Sequence, residues 1–469
     1  MAVLPTEIVA TTIPVDLPLA VDLDGTLVKT DLLTESVLLL MRNQPLYLLV
    51  FPVWMLHGRA WFKHQVATRV TLDWSALPWR VHFLEFLRQQ RAQGRSLILA
   101  TGSDMQLAQC AADYLKLFDT VLASDGTVNL CGESKRNCLV SRFGENGFDY
   151  AAEGGRQDRA VWSSARKAIL IRPDADAGTG LAGRLKALRP AHWLKNVLVF
   201  VPLLAAHRLL QLDLLEKSLL AFVAFGCCAS SGYLFNDLID LEADRHHPEK
   251  RRRPFAAGDL PLSYALTAIP VLLILGALLG ALVSGPLLAI LLLYFAMSAG
   301  YTLHIKRVAV LDVLFLAGLY TVRIMAGSAA AGIWPSNGML AFTTFLFFSL
   351  ALVKRYSELV IMQRMDGDGA RARGYERNDE ELLATMGIAS GYLAVLVLAL
   401  YIATDKAKAF YASRELLWFL CPLLLYWISY IWLTAHRGKM PGDPVAFAIG
   451  DRTSRILLLL MVATAVVAL

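Results

Sequence analysis

The chain has 469 residues, 56% of them hydrophobic and 18% charged, and carries a formal net charge of +6. These figures exclude a disordered, collagen-like or disulfide-framework protein, and they do not fit an ordinary soluble chain. The six cysteines, Cys110, Cys131, Cys138, Cys227, Cys228 and Cys421, contain no C-x-x-C pair and offer neither a zinc site nor a secreted disulfide pattern.

The apolar residues are unevenly spread. Up to Leu188 the sequence reads as a mixed globular protein, and beyond it long apolar runs alternate with short charged loops. The positive charge falls mostly in those loops, so it reads as membrane topology and not as a nucleic-acid signature. The opening stretch MAVLPTEIVATTIPVDLP lacks a basic segment before an apolar core, which predicts a first domain that stays in the cytosol.

In that first domain, short apolar runs recur in PLAVDLDG, SLILATGS, DTVLASDG and AILI, and RVHFLEFLRQQRAQG before the second run has helical periodicity. Strands alternating with helices predict an α/β, Rossmann-like domain with a parallel sheet and its ligand at the carboxyl ends of the strands. Asp22-Leu23-Asp24-Gly25-Thr26 ends the first strand. Carboxylates at i and i+2 leave an ending strand near one site, and Gly25 lets the backbone turn. One carboxylate can attack phosphorus while the other moves a proton, with Mg²⁺ neutralising the phosphate. A bare D-x-D is otherwise an Asp-rich turn. Here Thr101-Gly102-Ser103 ends the next strand, and Gly132-Glu133-Ser134-Lys135 follows the third.

Together these motifs resemble the haloacid dehalogenase (HAD) superfamily of phosphatases, over residues 17–172. The resemblance implies Asp22 as nucleophile, Asp24 as general acid/base, Thr101 on a phosphoryl oxygen and Lys135 stabilising an aspartyl-phosphate. It also implies a helical cap over about 32–90 and Mg²⁺ held by Asp22, Asp24 and Asp158. The fourth motif departs from the family's G-D-x-x-x-D: the segment from Tyr150 reads YAAEGGRQD, which leaves Asp158, with Glu153 as a substitute. Within the cap, residues 45–56 (PLYLLVFPVWML) form an apolar run too short to span a bilayer. It reads either as buried cap core or as a patch resting on the bilayer surface.

Residues 173–188 read as a linker, and 189–469 as an all-helical membrane domain. Apolar stretches fall at 197–206, 219–235, 262–283, 286–303, 309–331, 339–353, 382–403, 416–434 and 456–469. Nine spans from a cytosolic N-terminus place the basic loops, including Lys250-Arg-Arg-Arg253 and Lys354-Arg355, inside, while the outer connections are short and nearly uncharged. This predicts a multi-pass protein of the inner (cytoplasmic) membrane with its active sites on the cytoplasmic side.

Asn236-Asp237-x-x-Asp240-x-x-x-Asp244 follows directly on an apolar helix, and Asp237, Asp240 and Asp244 share one helical face. Carboxylates so close, near a bilayer, are expensive unless paired or metal-bound, so the cluster reads as a Mg²⁺ site shared with a phosphate. Lys250 to Arg253 follow at once and suit a polyphosphate. With the following His247-Pro248-x-Lys250-x-x-Arg253-Pro254, the pattern resembles the UbiA superfamily of intramembrane transferases, from Arg189 to the C-terminus. That resemblance implies nine spans and Mg²⁺ on a diphosphate leaving group.

The loop after the sixth span lacks the second D-x-x-x-D of aromatic prenyltransferases, although Asp366 and Asp368 are present. It reads Lys354-Arg355-Tyr356-Ser357-Glu358, continuing to Arg373-Gly374-Tyr375, and Arg189-Pro190-x-x-Trp193-x-Lys195 opens the domain. These features look like the decaprenyl-phosphate phosphoribosyltransferase branch, which moves phosphoribose from phosphoribosyl pyrophosphate (PRPP) to a polyprenyl phosphate. Charge agrees with that resemblance. PRPP and the lipid together bring three anionic groups, and Lys195, Lys250, Arg253, Lys354, Arg355 and Arg373, with Arg189, supply cations for them. Glu358 is expected on ribose hydroxyls or a second metal, and Tyr301 and Tyr375 on the sugar or phosphate. The product would still carry a 5-phosphate, which gives the fused phosphatase a task. The alternative is a polyprenyl diphosphate:aromatic prenyltransferase with a regulatory or inactive HAD domain. The sequence leaves oligomeric state open, and a homo-oligomer is compatible with it.

Overall fold

The computed structural model describes residues 2–4, 16–172, 180–365, 374–404, 411–440 and 442–469. The chain forms two compact units. One joins Met1–Leu188 with Tyr233–Ile269, and the other joins Arg189–Gly232 with Pro270–Leu469.

The first unit is built on strands β1 (Ala2–Leu4), β2 (Leu19–Val21), β3 (Leu97–Asp104), β4 (Thr120–Ser124), β5 (Asp149–Ala152) and β6 (Lys167–Ile171). All pair in parallel, in the order β1-β6-β5-β2-β3-β4. Successive side chains of a strand point to opposite faces. Leu19 and Val21 accordingly join a core with Leu97, Leu99, Phe83 and Leu107, whereas Ala20 joins a second core with Ile98, Ala100, Leu139 and Tyr150. Both faces of the sheet are therefore covered. Chain order reverses at β2, whose neighbours are β3 and β5, and the crevice at the carboxyl end of such a switch point is where a ligand fits.

β1, the apolar Ala2–Leu4, is too short to be read as a strand from sequence, and β5 was not legible as an apolar run. β5 begins with Asp149, fully buried and held by the guanidinium groups of Arg95 and Arg166, the latter at 2.8 Å. A buried ion pair stands where the pattern looks for an aliphatic side chain.

Helices Leu32–Asn43, Phe51–Leu56 and Arg59–Ala67 are inserted between β2 and β3. Asp31 starts the first by accepting from Thr34 N at 2.6 Å. The insertion has its own core of Leu40, Phe51, Trp54, Phe62 and Val66. It closes before Val81–Ala92, because Phe83, Leu84, Phe86 and Leu87 of that helix pack on the sheet.

The same unit contains helix Leu241–His246 and the loop after it. Arg245 donates two hydrogen bonds to Glu35, at 2.8 and 2.6 Å, with both side chains buried. Arg42 pairs with Glu242 at 3.2 Å, and His246 Nε2 lies 2.9 Å from Asp73. The helical insertion thus grips the segment that carries the aspartate motif.

Among the described residues, seven helices are long and apolar enough to cross a membrane: Leu212–Ile239, Leu262–Val283, Gly285–Leu303, Leu311–Ala331, Asn337–Ile361, Glu380–Ala403 and Arg414–His436. The other two of the nine expected stretches are shorter. Pro190–Ala205 runs as a 3-10 helix through Phe200 before a short α-turn with Pro202, and Arg452–Val467 has 16 residues. Close packing anchors Pro190–Phe200 in the second unit. Gly226 lies under the Trp193 indole, where an added Cβ would come within 2.8 Å of the ring, and Trp193 Nε1 donates to Ser230 Oγ at 2.9 Å.

Candidate functional sites

In the first unit, β2 delivers Asp22 to the switch point, with its N–H on Ala151 O at 3.0 Å. Asp22 Oδ1 accepts from Lys135 Nζ at 2.9 Å, and Lys135 also donates to Tyr150 Oη at 3.0 Å. Tyr150 in turn donates to Asp158 Oδ1 at 3.1 Å, and Asp158 Oδ2 accepts from Gly155 N at 2.8 Å. Asp24 accepts from Leu32 N at 2.9 Å and from Ser103 Oγ at 2.5 Å. Thr101 is buried and its Oγ1 accepts from Ser103 N at 3.1 Å, so it shapes the loop that presents Ser103. Asp22, Lys135 and Asp158 therefore belong to one hydrogen-bonded network and Asp24 and Thr101 to a second one through Ser103, with Asp22 within electrostatic reach of Asp24.

Gly25 takes φ +70°, the left-handed turn that glycine favours, and its carbonyl accepts from Arg80 Nη2 at 3.0 Å. Arg80 also reaches Glu153 at 3.3 Å. The inserted helices touch this region through Lys63, which donates to Gly102 O at 2.5 Å and Asn129 Oδ1 at 2.8 Å. Ser103, Tyr150, Arg80 and Lys63 were missed as site residues. Only Ser103 carried a signal, its place in the Thr-Gly-Ser that ends β3.

Burial is the main cause that raises Asp24 to about 7, with the charges of Asp31 and Asp22 adding to it. Burial and then Asp22 likewise push Asp158 up, and burial raises Glu153 against the pull of Arg80. A carboxyl poised near neutrality suits proton transfer. It is a poorer metal ligand, and both oxygens of Asp158 are already engaged by Tyr150 and Gly155. Asp22 and Asp24 are likewise engaged by protein donors, Asp22 by Lys135 and Asp24 by Ser103 and Leu32.

The aspartate motif in the same unit differs in detail from one continuous helical face. Helix Leu212–Ile239 ends and Leu241–His246 begins afresh, with Asp240 between them. Asp237 and Asp244, 4% and 3% exposed, nevertheless converge on one nitrogen, Arg253 Nη1, at 3.2 and 2.5 Å. Two buried carboxylates sharing one cation define a cation position with oxygen donors only. Mg²⁺ commonly binds through one or two carboxylates plus substrate phosphates, so these residues fit it. Asn236 and Asp240 flank the position along the backbone, Asp240 N donating to Asn236 O at 2.9 Å. Lys250 opens a 3-10 turn three residues before Arg253.

In the second unit, Tyr301, Arg355, Glu358 and Tyr375 gather around Asp312. Arg355 pairs with Asp312, donates to Glu358 at 2.5 Å and donates to Tyr301 Oη at 2.6 Å. Tyr375 donates to Asp312 Oδ1 at 2.6 Å. The Arg355 guanidinium is thus committed to protein partners and organises the cluster. Asp312 was missed; its signal was a lone acidic residue opening an apolar span. Separately, Lys195 pairs with Asp443 and stands 5.7 Å from the Tyr320 ring centroid. Burial pushes Asp443 up, but Lys195 and Lys354 bring it down to about 2. Arg189, Lys195 and Lys354 all lie within electrostatic reach of His192. Arg373, Asp366 and Asp368 lie outside the described residues.

Residues 197–450 match the UbiA prenyltransferase family. The chain belongs to that family, and its seven candidate spans make it an integral membrane protein. Among its relatives, the uncharacterized protein y4nM of Sinorhizobium fredii is 32% identical over 458 residues, covering 93% of this chain and 88% of that one. Decaprenyl-phosphate phosphoribosyltransferase of Mycobacterium tuberculosis is 33% identical over 302 residues, 63% of this chain and 96% of its own. A solved UbiA homolog from Archaeoglobus fulgidus, bound to DMAPP and Mg²⁺, is similar at 15% identity and a TM-score of 0.44, covering 60% of this chain and 98% of that one.

Proposed function

We propose that the membrane domain, residues 189–469, transfers 5-phosphoribose from PRPP to a polyprenyl phosphate and releases diphosphate. The N-terminal domain, residues 1–172, is read as a HAD-type phosphatase that then removes the 5-phosphate, leaving polyprenyl-phosphoryl ribose. The observation that carries the reading is the convergence of Asp237 and Asp244 on one cation position, in a chain 33% identical to a decaprenyl-phosphate phosphoribosyltransferase.

In the first step an oxygen of the lipid phosphate attacks C1 of the ribose, and the bond from C1 to the diphosphate breaks. The nucleophile is already anionic and needs no base, so positioning and charge neutralisation do the work. Asn236, Asp237, Asp240 and Asp244 would hold Mg²⁺, which when bound supplies positive charge to the leaving diphosphate. Arg253, held between two carboxylates, and Lys250 add charge for the same group. Arg189, Lys195, Lys354 and Arg373 are assigned to the other phosphates. Arg355 positions Glu358 and Tyr301, which with Tyr375 are assigned to the ribose.

In the second step Asp22 attacks phosphorus, and the ester bond to ribose breaks as Asp24 gives its proton to the departing oxygen. Lys135, already on Asp22, offsets the charge of the aspartyl-phosphate. Asp24 then takes a proton from the water that hydrolyses it. This sequence uses the chain's own groups. Fusion raises the local concentration of the intermediate at the second site. Both reactions are placed on the cytoplasmic face of the inner membrane.

Purified full-length protein given PRPP, Mg²⁺ and a polyprenyl phosphate, with lipid products weighed by mass spectrometry, tests the pathway. The expected product is the ribosyl lipid without a 5-phosphate. Asp22→Asn should yield the lipid heavier by one phosphate, and Asp237→Asn should yield neither. Consumption of a prenyl diphosphate with an aromatic acid, and none of PRPP, would replace the reading with aromatic prenylation and a non-catalytic N-terminal domain.

A further inference from the structure

The segment from Pro45 to Leu56 contains no charged residue. It folds as a 3-10 turn, Pro45–Leu49, followed by helix Phe51–Leu56. Phe51 and Trp54 turn inward, 8% exposed each, onto Leu40, Phe62 and Val66. The remaining large apolar side chains turn outward: Leu46 is 77% exposed, Leu49 78%, Met55 60% and Leu56 87%, with Val53 at 49%. Trp61 on the following helix adds a ring that is 40% exposed. The buried-core reading of this run therefore holds for Phe51 and Trp54, with Tyr47 half-buried against them. A contiguous uncharged patch of this kind on a soluble domain marks an interaction surface.

The patch begins three residues after Arg42, which is bonded to Glu242. Glu242 itself stands three residues beyond the end of Leu212–Ile239, a helix long and apolar enough to cross a membrane. Chain connectivity and this ion pair, both within one unit, tie the start of the patch to the end of a helix able to cross a membrane. A bilayer surface is the apolar phase at hand, and short segments with aromatic and aliphatic side chains bind it without spanning.

We propose that Pro45–Leu56 is a membrane-surface anchor. Leu46, Leu49, Val53, Met55 and Leu56 enter the headgroup and acyl boundary, while Phe51 and Trp54 fasten the segment to the domain. The exposed Arg59, immediately after the run, suits the phosphates at that depth. The occupant is lipid, not a second copy of the chain. The inference does not depend on either proposed reaction.

The test uses the full chain in proteoliposomes of phosphatidylethanolamine and phosphatidylglycerol, with a photo-crosslinking amino acid placed at Leu49, at Leu56, or at the exposed Gln89 as a control. Irradiation should attach radiolabelled phospholipid at 49 and 56 several-fold more than at 89. Adding Leu46→Glu and Met55→Glu should lower the lipid adduct at 49 several-fold. Adducts at 49 and 56 that carry a second polypeptide instead of lipid would overturn the proposal. So would lipid labelling no higher than at 89. Recovery of each variant in the membrane fraction, which the spans guarantee independently of the patch, keeps the comparison valid.

Discussion

Asp24 is the residue whose environment says most about its chemistry. Its carboxyl is buried and faces two other acids, so it holds a proton up to about pH 7. As the proposed general acid it must be protonated when the ester breaks. Phosphomonoester hydrolysis by the full chain should therefore fall as pH rises through about 7, and Asp24→Asn should lower it by ~10²-fold or more. Stability should fall with rising pH as well, over the range below about 7. The folded value lies above the unfolded one, near 3.9, so the folded state loses stability as pH rises between the two. Asp24→Asn should raise the unfolding temperature at pH 8 more than at pH 5, and thermal melts at both values would check this. Asp22, Asp24, Thr101 and Lys135 could be named from sequence because they sit at strand ends and just after them. Tyr150 and Arg80 could not. They act through hydrogen bonds to Lys135, Asp158 and Gly25, which only folding brings near.

At the scale of elements, the grip of the inserted helices on Leu241–His246 makes a sharp prediction. Glu35→Gln leaves the Arg245 guanidinium buried without its carboxylate, and breaking a buried pair from one side costs about 3–5 kcal/mol. Replacing both, Glu35→Leu with Arg245→Met, should recover most of that in chemical denaturation. PRPP consumption should stay low in the double variant, because the backbone that sets Asp244 and Arg253 would no longer be tied by Arg245, which also donates to Ala256 O at 3.2 Å. The aspartate spacing was legible because its chemistry requires carboxylates together. The break at Asp240 was not, since it depends on packing beyond the helix. The same limit applies to the short Pro190–Ala205. Its composition is that of a span, yet Pro202 inside it and the 3-10 geometry of its first turns keep it from running as one α-helix.

For the whole molecule, the boundary drawn from composition and the boundary drawn by folding differ. Hydropathy separates the chain near residue 188. The first compact unit, however, takes Tyr233–Ile269 from beyond the boundary. Composition could not show this, because the joining contacts include ion pairs between residues far apart in the chain, such as Arg245–Glu35 and Arg42–Glu242. A protease site placed within 173–179 and cut after purification should therefore leave the N-terminal fragment bound on gel filtration in detergent, and high salt alone should not release it while the Glu35–Arg245 pair stays buried. The relative y4nM aligns with 93% of this chain, so the same two portions occur together there. The discontinuous unit has a consequence for inheritance. A soluble domain attached by a tether can be exchanged for another, but one whose acidic side chain completes a buried pair on its neighbour cannot. Glu35 and Arg245, 210 positions apart, should be kept or lost as one character wherever this architecture recurs.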